Sequence, residues 1–195
     1  PSNDIQKIYQ DREGYIWMAS KNGLFQYDGY TVNTYKSNLY NPTLLSNNNI
    51  FCVSEDYNQR LWIGTTKGLN VMDKKAGEIV QINRPEFINN AISNILVTKD
   101  NRVLLATDQG LYKYIYEKDS CILFGRQNTD GILPDMSIKE LWEDSYGYIW
   151  IGTWDSGLYS YDPENNKYYA YPKLDSRNSA HVIFEDSRKR IWVGT

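Results

Sequence analysis

The sequence predicts an all-β fold built of β-propeller blades, and three observations carry the prediction. A motif returns at a nearly constant interval, each interval divides into four short strand-like segments, and the composition favours strands. Aligning the motif's apolar run puts Trp17, Trp62, Leu104, Trp150 and Trp192 in register, with successive spacings of 45, 42, 46 and 42 residues. The runs read YIWMAS (15–20), RLWIGT (60–65), RVLLAT (102–107), YIWIGT (148–153) and RIWVGT (190–195). Four of them lead into a Gly-Leu step, at Gly23-Leu24, Gly68-Leu69, Gly110-Leu111 and Gly157-Leu158. A period of this size is that of propeller blades. The 17 tyrosines and 6 tryptophans, in a chain poor in alanine, favour strands over helices.

The first unit, about residues 1–37, carries Asp11, Gly14, Trp17 and the turn Tyr27-Asp28-Gly29-Tyr30. The second, about 38–87, divides into the segments Asn49–Glu55, Arg60–Thr65, Leu69–Asp73 and Glu78–Ile82. Their links, Asp56–Gln59, Thr66–Gly68 and Lys74–Gly77, are short and polar or contain glycine, as hairpin connections do. No segment shows the 3.6-residue apolar spacing of an amphipathic helix, so the unit reads as a four-stranded antiparallel meander. The third unit, about 88–128, departs most: Leu104 replaces Trp, and Lys113-Tyr114 runs into Ile115 without a Tyr-Asp ending. The fourth, about 129–173, holds the clearest copy, EDSYGYIWIGTWDSGLYSYD over 143–162, and the fifth, 174–195, is half a blade.

A lone four-stranded sheet cannot hide its own apolar faces, so neighbouring units must stack. Radial stacking gives a propeller, usually of about 4–8 blades. A linear β-solenoid is the rival, but its periods are normally shorter. A seven-bladed ring at this period needs roughly 300 residues. The chain opens on Pro1 and stops at Thr195, directly after an apolar run. It is therefore expected to be about four and a half blades of a larger, seven-bladed propeller, or to associate through its open ends.

The repeated residues read as architecture. The Trp of the second strand is expected to pack blade on blade, since aromatics bury large areas. The small residue two positions on (Ala19, Gly64, Ala106, Gly152, Gly194) is expected to admit the next sheet closely. The acidic residue before the first hairpin (Asp11, Asp56, Asp144, Asp186) is expected to form the turn by bonding nearby amides.

Composition excludes several function classes. Lys plus Arg is 21 against Asp plus Glu 24, interspersed and with no basic block to follow a phosphate backbone, so nucleic acid is not an expected partner. No apolar run approaches the ~20 residues of a membrane span, and no leader peptide is recognisable, so any anchor would lie outside the chain. Cys52 and Cys121 have neither metal-site spacing nor a CxxC partner and read as small buried hydrophobes. The single histidine, His181, lacks companions at ligand spacing and reads as structural, so neither a metal nor another cofactor is expected. There is no nucleophile elbow or phosphate loop. The carboxylate pairs Glu55-Asp56, Glu143-Asp144 and Glu185-Asp186 recur at turns rather than at one site, so no catalytic residue is assigned.

The consensus ED-x-x-G-x-IWIGT-x-x-GL-x-x-YD, carried best by 143–162 and next by 55–73, resembles the two-component regulator propeller repeat. That repeat is found in the sensor regions of hybrid two-component systems of the Bacteroides type. The resemblance extends over essentially the whole chain and implies a periplasmic, ligand-sensing ectodomain, with a membrane span, a histidine kinase and a response regulator following in the same polypeptide. It also implies an oligosaccharide ligand and signalling through a homodimer. Two other readings are a propeller scaffold for protein interaction or dimerisation, and part of a lyase or glycosidase completed by further blades.

Binding is expected where blades differ. With the first strand innermost, the links between blades and the strand 2–3 hairpins emerge on one face, and the other hairpins on the opposite one. The 2–3 tips read Lys21-Asn22, Thr66-Lys67, Asp108-Gln109 and the longer Trp154-Asp155-Ser156. An aromatic ring beside a carboxylate suits a sugar, which presents C–H faces for stacking and hydroxyls for hydrogen bonds. Trp154, Asp155 and Ser156 are thus candidate ligand residues. The long links Tyr40–Asn48 and Asn128–Asp135 reach the same face and add Tyr40, Asn47, Asn128 and Asp130.

Overall fold

The structure is a computed structural model that describes residues 4–38, 40–41, 43–124, 132–133, 137–171 and 179–195. The chain forms two compact units, Pro1–Val97 and Thr98–Thr195.

The first unit contains two complete meanders. One is β1 (Ile5–Gln10), β2 (Ile16–Ser20), β3 (Gly23–Tyr27) and β4 (Val32–Tyr35), and the other is β5 (Ile50–Glu55), β6 (Arg60–Thr65), β7 (Gly68–Asp73) and β8 (Glu78–Ile82). Each sheet follows chain order with antiparallel neighbours. The second meander matches its expected segments to within one residue. β9 (Ile92–Val97) completes this unit.

The second unit begins with β10 (Val103–Thr107), β11 (Gly110–Ile115) and β12 (Ser120–Phe124). A 3₁₀ turn over Tyr116–Lys118 stands where the third repeat lacks its Tyr-Asp ending, and it is the one helical element among the described residues. A complete meander follows, β13 (Ile138–Glu143), β14 (Ile149–Thr153), β15 (Leu158–Asp162) and β16 (Lys167–Ala170), and then the hairpin β17 (Val182–Glu185) and β18 (Ile191–Gly194). The chain is all-β, made of four-stranded antiparallel propeller blades.

Packing explains the small residues of the motif. In the first unit Trp17, Leu24, Leu45, Ile50, Leu61 and Ile63 form one core between the two meanders, so Trp17 packs blade on blade as expected. A side chain at Gly64 would place its Cβ 2.8 Å from the Ile92 carbonyl oxygen and against the Cys52 sulfur. One at Gly152 would place it 2.5 Å from the Ala180 carbonyl oxygen. The following blade's first strand therefore approaches over a position where a methyl group does not fit. Cys52 is buried and directs its thiol at the Ile92 carbonyl (3.4 Å), whereas Cys121, on the outer strand β12, is only half-buried.

Candidate functional site

In every blade but the third, one aspartate sets the frame. Asp11, Asp56, Asp144 and Asp186 each accept, on Oδ1, the backbone N–H groups two and four residues on. Their Oδ2 atoms accept the indole N–H of Trp17, Trp62, Trp150 and Trp192 at 2.9, 2.9, 2.8 and 2.9 Å. Turn-forming was legible from sequence, and the Asp–Trp bond was not, although the fixed six-residue offset was visible. The third blade shows the pairing by exception: Thr98 and Leu104 occupy both positions, and Arg102 N–H is taken by Thr98 Oγ1 instead (2.9 Å).

The glutamate before that aspartate reaches back to the preceding blade. Glu55 accepts the Arg12 N–H, Glu143 the Lys99 N–H and Glu185 the Ser145 N–H, at 2.9, 2.7 and 2.8 Å. Lys74 adds ion pairs to Asp11, Glu13 and Glu55 in the first unit. Burial acts to raise the Asp11 carboxyl, but the Trp17 indole and the Lys74 ammonium outweigh it and hold the group below its ordinary range. The carboxylate pairs are thus engaged in the hydrogen bonds that hold each hairpin and join it to the preceding blade.

A hydroxyl clamps the opposite, strand 2–3 end of the blades. Ser20, Thr65, Thr107 and Thr153 donate Oγ–H to the carbonyls of Gly23, Gly68, Gly110 and Gly157 (2.8–3.0 Å). The same oxygens accept the N–H of Asn22, Lys67, Gln109 and Ser156. These four glycines have φ of 123°, 119°, 126° and 92°, left-handed values that account for the Gly of every Gly-Leu step. With both sides of the hairpin clamped, only its tip is free to vary, and the tips shown by sequence to differ are those that project.

In the second unit that end carries Trp154, 46% exposed, whose backbone N–H donates to the Ser137 carbonyl. Its ring lies 4.7 Å from the Lys139 ammonium and 4.9 Å from the His181 ring, which meets it edge-on at 82°. Asp155 is exposed and Ser156 half-buried beside it, joined by a 3.1 Å hydrogen bond. Ser137 donates to Asp108 of the neighbouring tip. Sequence reasoning missed Lys139 and His181 as neighbours of this indole, because both reach it from adjacent first-strand regions.

In the first unit the corresponding end holds two clefts of about 210 and 240 Å³ that share Ser46, Lys67 and Gln81. Tyr40 lies here in the chain, 94% exposed, and contributes to neither cleft. Asn47 lines one of them, but its side-chain Oδ1 accepts from Asn49 N–H and Thr66 Oγ1. Asn128 and Asp130 lie outside the described residues.

The profile of the family described as two component regulator propeller matches residues 1–22 and 44–67. A histidine kinase of Formosa agariphila is 27% identical, over 54% of this chain and 12% of its own length. The extracellular domain of a hybrid two component system from B. thetaiotaomicron is 27% identical with a TM-score of 0.77, over 98% of this chain and 25% of that one. A second such domain from the same organism, 19% identical, superposes over 100% of this chain and 32% of that one with a TM-score of 0.73. Virginiamycin B lyase from Staphylococcus aureus, at 13% identity, a TM-score of 0.76 and coverage of 99% and 64%, shares the fold alone. The chain thus spans a third or less of the two-component relatives it matches. The profile match falls on the first two blades, and the Asp–Trp pair that it spans in the first, Asp11–Trp17, recurs beyond the matched residues at Asp144–Trp150 and Asp186–Trp192.

Proposed function

We propose that this chain is a ligand-sensing segment in the extracellular part of a hybrid two-component receptor, and that the ligand is an oligosaccharide. The receptor would lie in the periplasm, anchored and completed by segments other than this one, and would signal as a homodimer whose equilibrium the ligand biases. The kinase activity belongs to those other segments, and this one is a binding module. The repeat and its likeness to extracellular sensor domains support the receptor reading.

The observation that carries the ligand reading is the position of Trp154. Four tryptophans give their indole N–H to the repeat's aspartate, and Trp142 lies in β13 against Phe184. Trp154 instead stands half-exposed on a clamped tip, and no acceptor for its N–H is found among the described residues. An indole with a free N–H, flanked by Asp155 and Ser156, offers a sugar a stacking surface, a donor and two acceptors. Calorimetric titration of a glycan panel should give an affinity that Trp154→Ala lowers about tenfold or more, consistent with about 1–3 kcal/mol for a lost aromatic stacking contact. An unchanged affinity removes Trp154 from the site.

A further inference from the structure

We infer that the paired clefts around Lys67 in the first unit bind the acidic residue of a carboxylate-bearing oligosaccharide, with the Lys67 ammonium as the carboxylate's partner. The inference rests on the glycan-sensing reading above and specifies the class of glycan.

The clefts are rigid because their floor is cross-linked. Asn70, fully buried, accepts the Ser46 N–H at 2.8 Å and donates its amide to Ser46 Oγ at 3.0 Å. Ser46 Oγ also lies 3.1 Å from Thr65 Oγ1, and Gln81 Nε2 donates to the Leu44 carbonyl at 2.8 Å. The inter-blade link is therefore bolted to β6, β7 and β8, and the pocket exists before ligand arrives, which lowers the ordering cost of binding. The two clefts, about 210 and 240 Å³, adjoin through Ser46, Lys67 and Gln81, so an extended ligand can enter both.

Three polar side chains that face this space are left over once Ser46, Asn47 and Gln81 are spent on the floor. Lys67 is exposed where the two clefts meet, and no acceptor for its ammonium is found among the described residues. The side-chain amides of Asn83 and Asn89 line the same wall, also without partners among the described residues, around the half-exposed Ile88. One cation, two amides and an apolar edge match a uronate ring, with its carboxylate, hydroxyls and C–H face.

Charge favours the same ligand. The link over residues 36–49 has one Lys, five Asn and no Asp or Glu, although the chain as a whole is net −3. The 2–3 tips of this unit add Lys21 and Lys67. No carboxylate is among the residues lining the two clefts, the nearby Glu86 is paired with Arg84 at 3.2 Å, and the Lys67 ammonium attracts an anion. The larger cleft of about 270 Å³ in the second unit offers no such group. There Lys99 is bound to the Asp144 carbonyl, Arg102 to Asp100, and Asp162 to Asn165.

The test is calorimetry on the chain with galacturonate and glucuronate trisaccharides beside their carboxyl-reduced, neutral counterparts, repeated with Lys67→Met and Asn83→Ala. At least one uronate trisaccharide should bind about tenfold or more tighter than its reduced form, by an amount that shrinks with added salt. Lys67→Met should abolish that preference while leaving the neutral sugar's affinity in place, and Asn83→Ala should weaken both. Equal affinity for acidic and reduced forms, or a preference that survives Lys67→Met, overturns the inference. Neutral sugars bound through Trp154 alone would overturn it and leave the glycan-sensing reading standing. Failure of every trisaccharide, acidic and neutral, would overturn both.

Discussion

Asp56 accepts four hydrogen bonds inside its own hairpin, from Asn58 N–H, Arg60 N–H, Arg60 Nε and Trp62 Nε1, at 2.6–3.0 Å, and is fully buried. An ionised acceptor surrounded by donors is costly to remove, because the donors stay buried and lose their partner. Asp56→Ala should therefore destabilise the chain by about 3–5 kcal/mol, read as a lower urea midpoint with unchanged slope. At the same position in the third blade, Thr98 is neutral and its neighbour is Leu104 rather than an indole. Thr98→Ala should cost only about 1 kcal/mol. Equal losses at the two positions would contradict the assignment of the Asp–Trp pair as the stronger form of the turn. The motif's Asp and Trp were legible as separate recurrences, but their bond was not, because a strand-spacing argument says nothing about which side chains meet across a hairpin.

At the scale of the hairpin, one backbone position recurs three residues after that aspartate. It is Gly14 (φ 91°) and Gly147 (φ 90°) in two blades, but Gln59 (φ 63°), Asn101 (φ 64°) and Lys189 (φ 66°) in the others. A residue with a Cβ costs roughly 1–2 kcal/mol in the left-handed region, less for Asn, and glycine avoids most of that at some expense in unfolded-state entropy. Gln59→Gly and Lys189→Gly should each stabilise by about 0.5–1 kcal/mol, while Asn101→Gly should be near neutral. Thermal unfolding of the three variants checks the order, and a loss of stability in Gln59→Gly would refute it. The blades themselves were legible because turn residues, Gly-Leu steps and aromatic runs repeat with the chain. The glutamate that reaches the preceding blade was visible only as half of a carboxylate pair. The clefts at Lys67 were not legible, since Ser46, Gln81 and Asn83 lie far apart in sequence and follow no repeat. The tip at Trp154 was legible because it breaks a repeat.

Across the molecule, the titrating groups that depart from their ordinary values set a stability profile with two limbs. Among the described residues the shifted carboxylates all move down. Asp28 is held by the Thr31 amide, Asp186 by the Trp192 indole, and Asp11 by Trp17 and Lys74 against the opposing effect of burial. A folded-state value below the unfolded one means that the unfolded chain binds more protons in acid. That stability is present above the ordinary carboxylate range of about 3.9–4.3 and is lost as pH falls through the depressed folded values. The alkaline limb has the opposite sign. Burial raises the phenols of Tyr9, Tyr35, Tyr159 and Tyr168, and Lys74 is raised because its bonds to Glu55, Asp11 and Glu13 outweigh burial. Their contribution is complete below the unfolded values of about 10 and is lost as pH climbs through the raised folded ones. Urea midpoints should therefore form a plateau from about pH 5 to 9, falling below about pH 4 and above about pH 10. Lys74→Met should lower the plateau and flatten part of the alkaline limb, because Asp11 and Glu55 then stay buried without their cation, while Trp154→Ala and Lys67→Met leave the profile in place. A profile that fell steadily from pH 5 to 9 would mean that some other group governs the fold, and the ion cluster joining the first two blades would lose its place in the account.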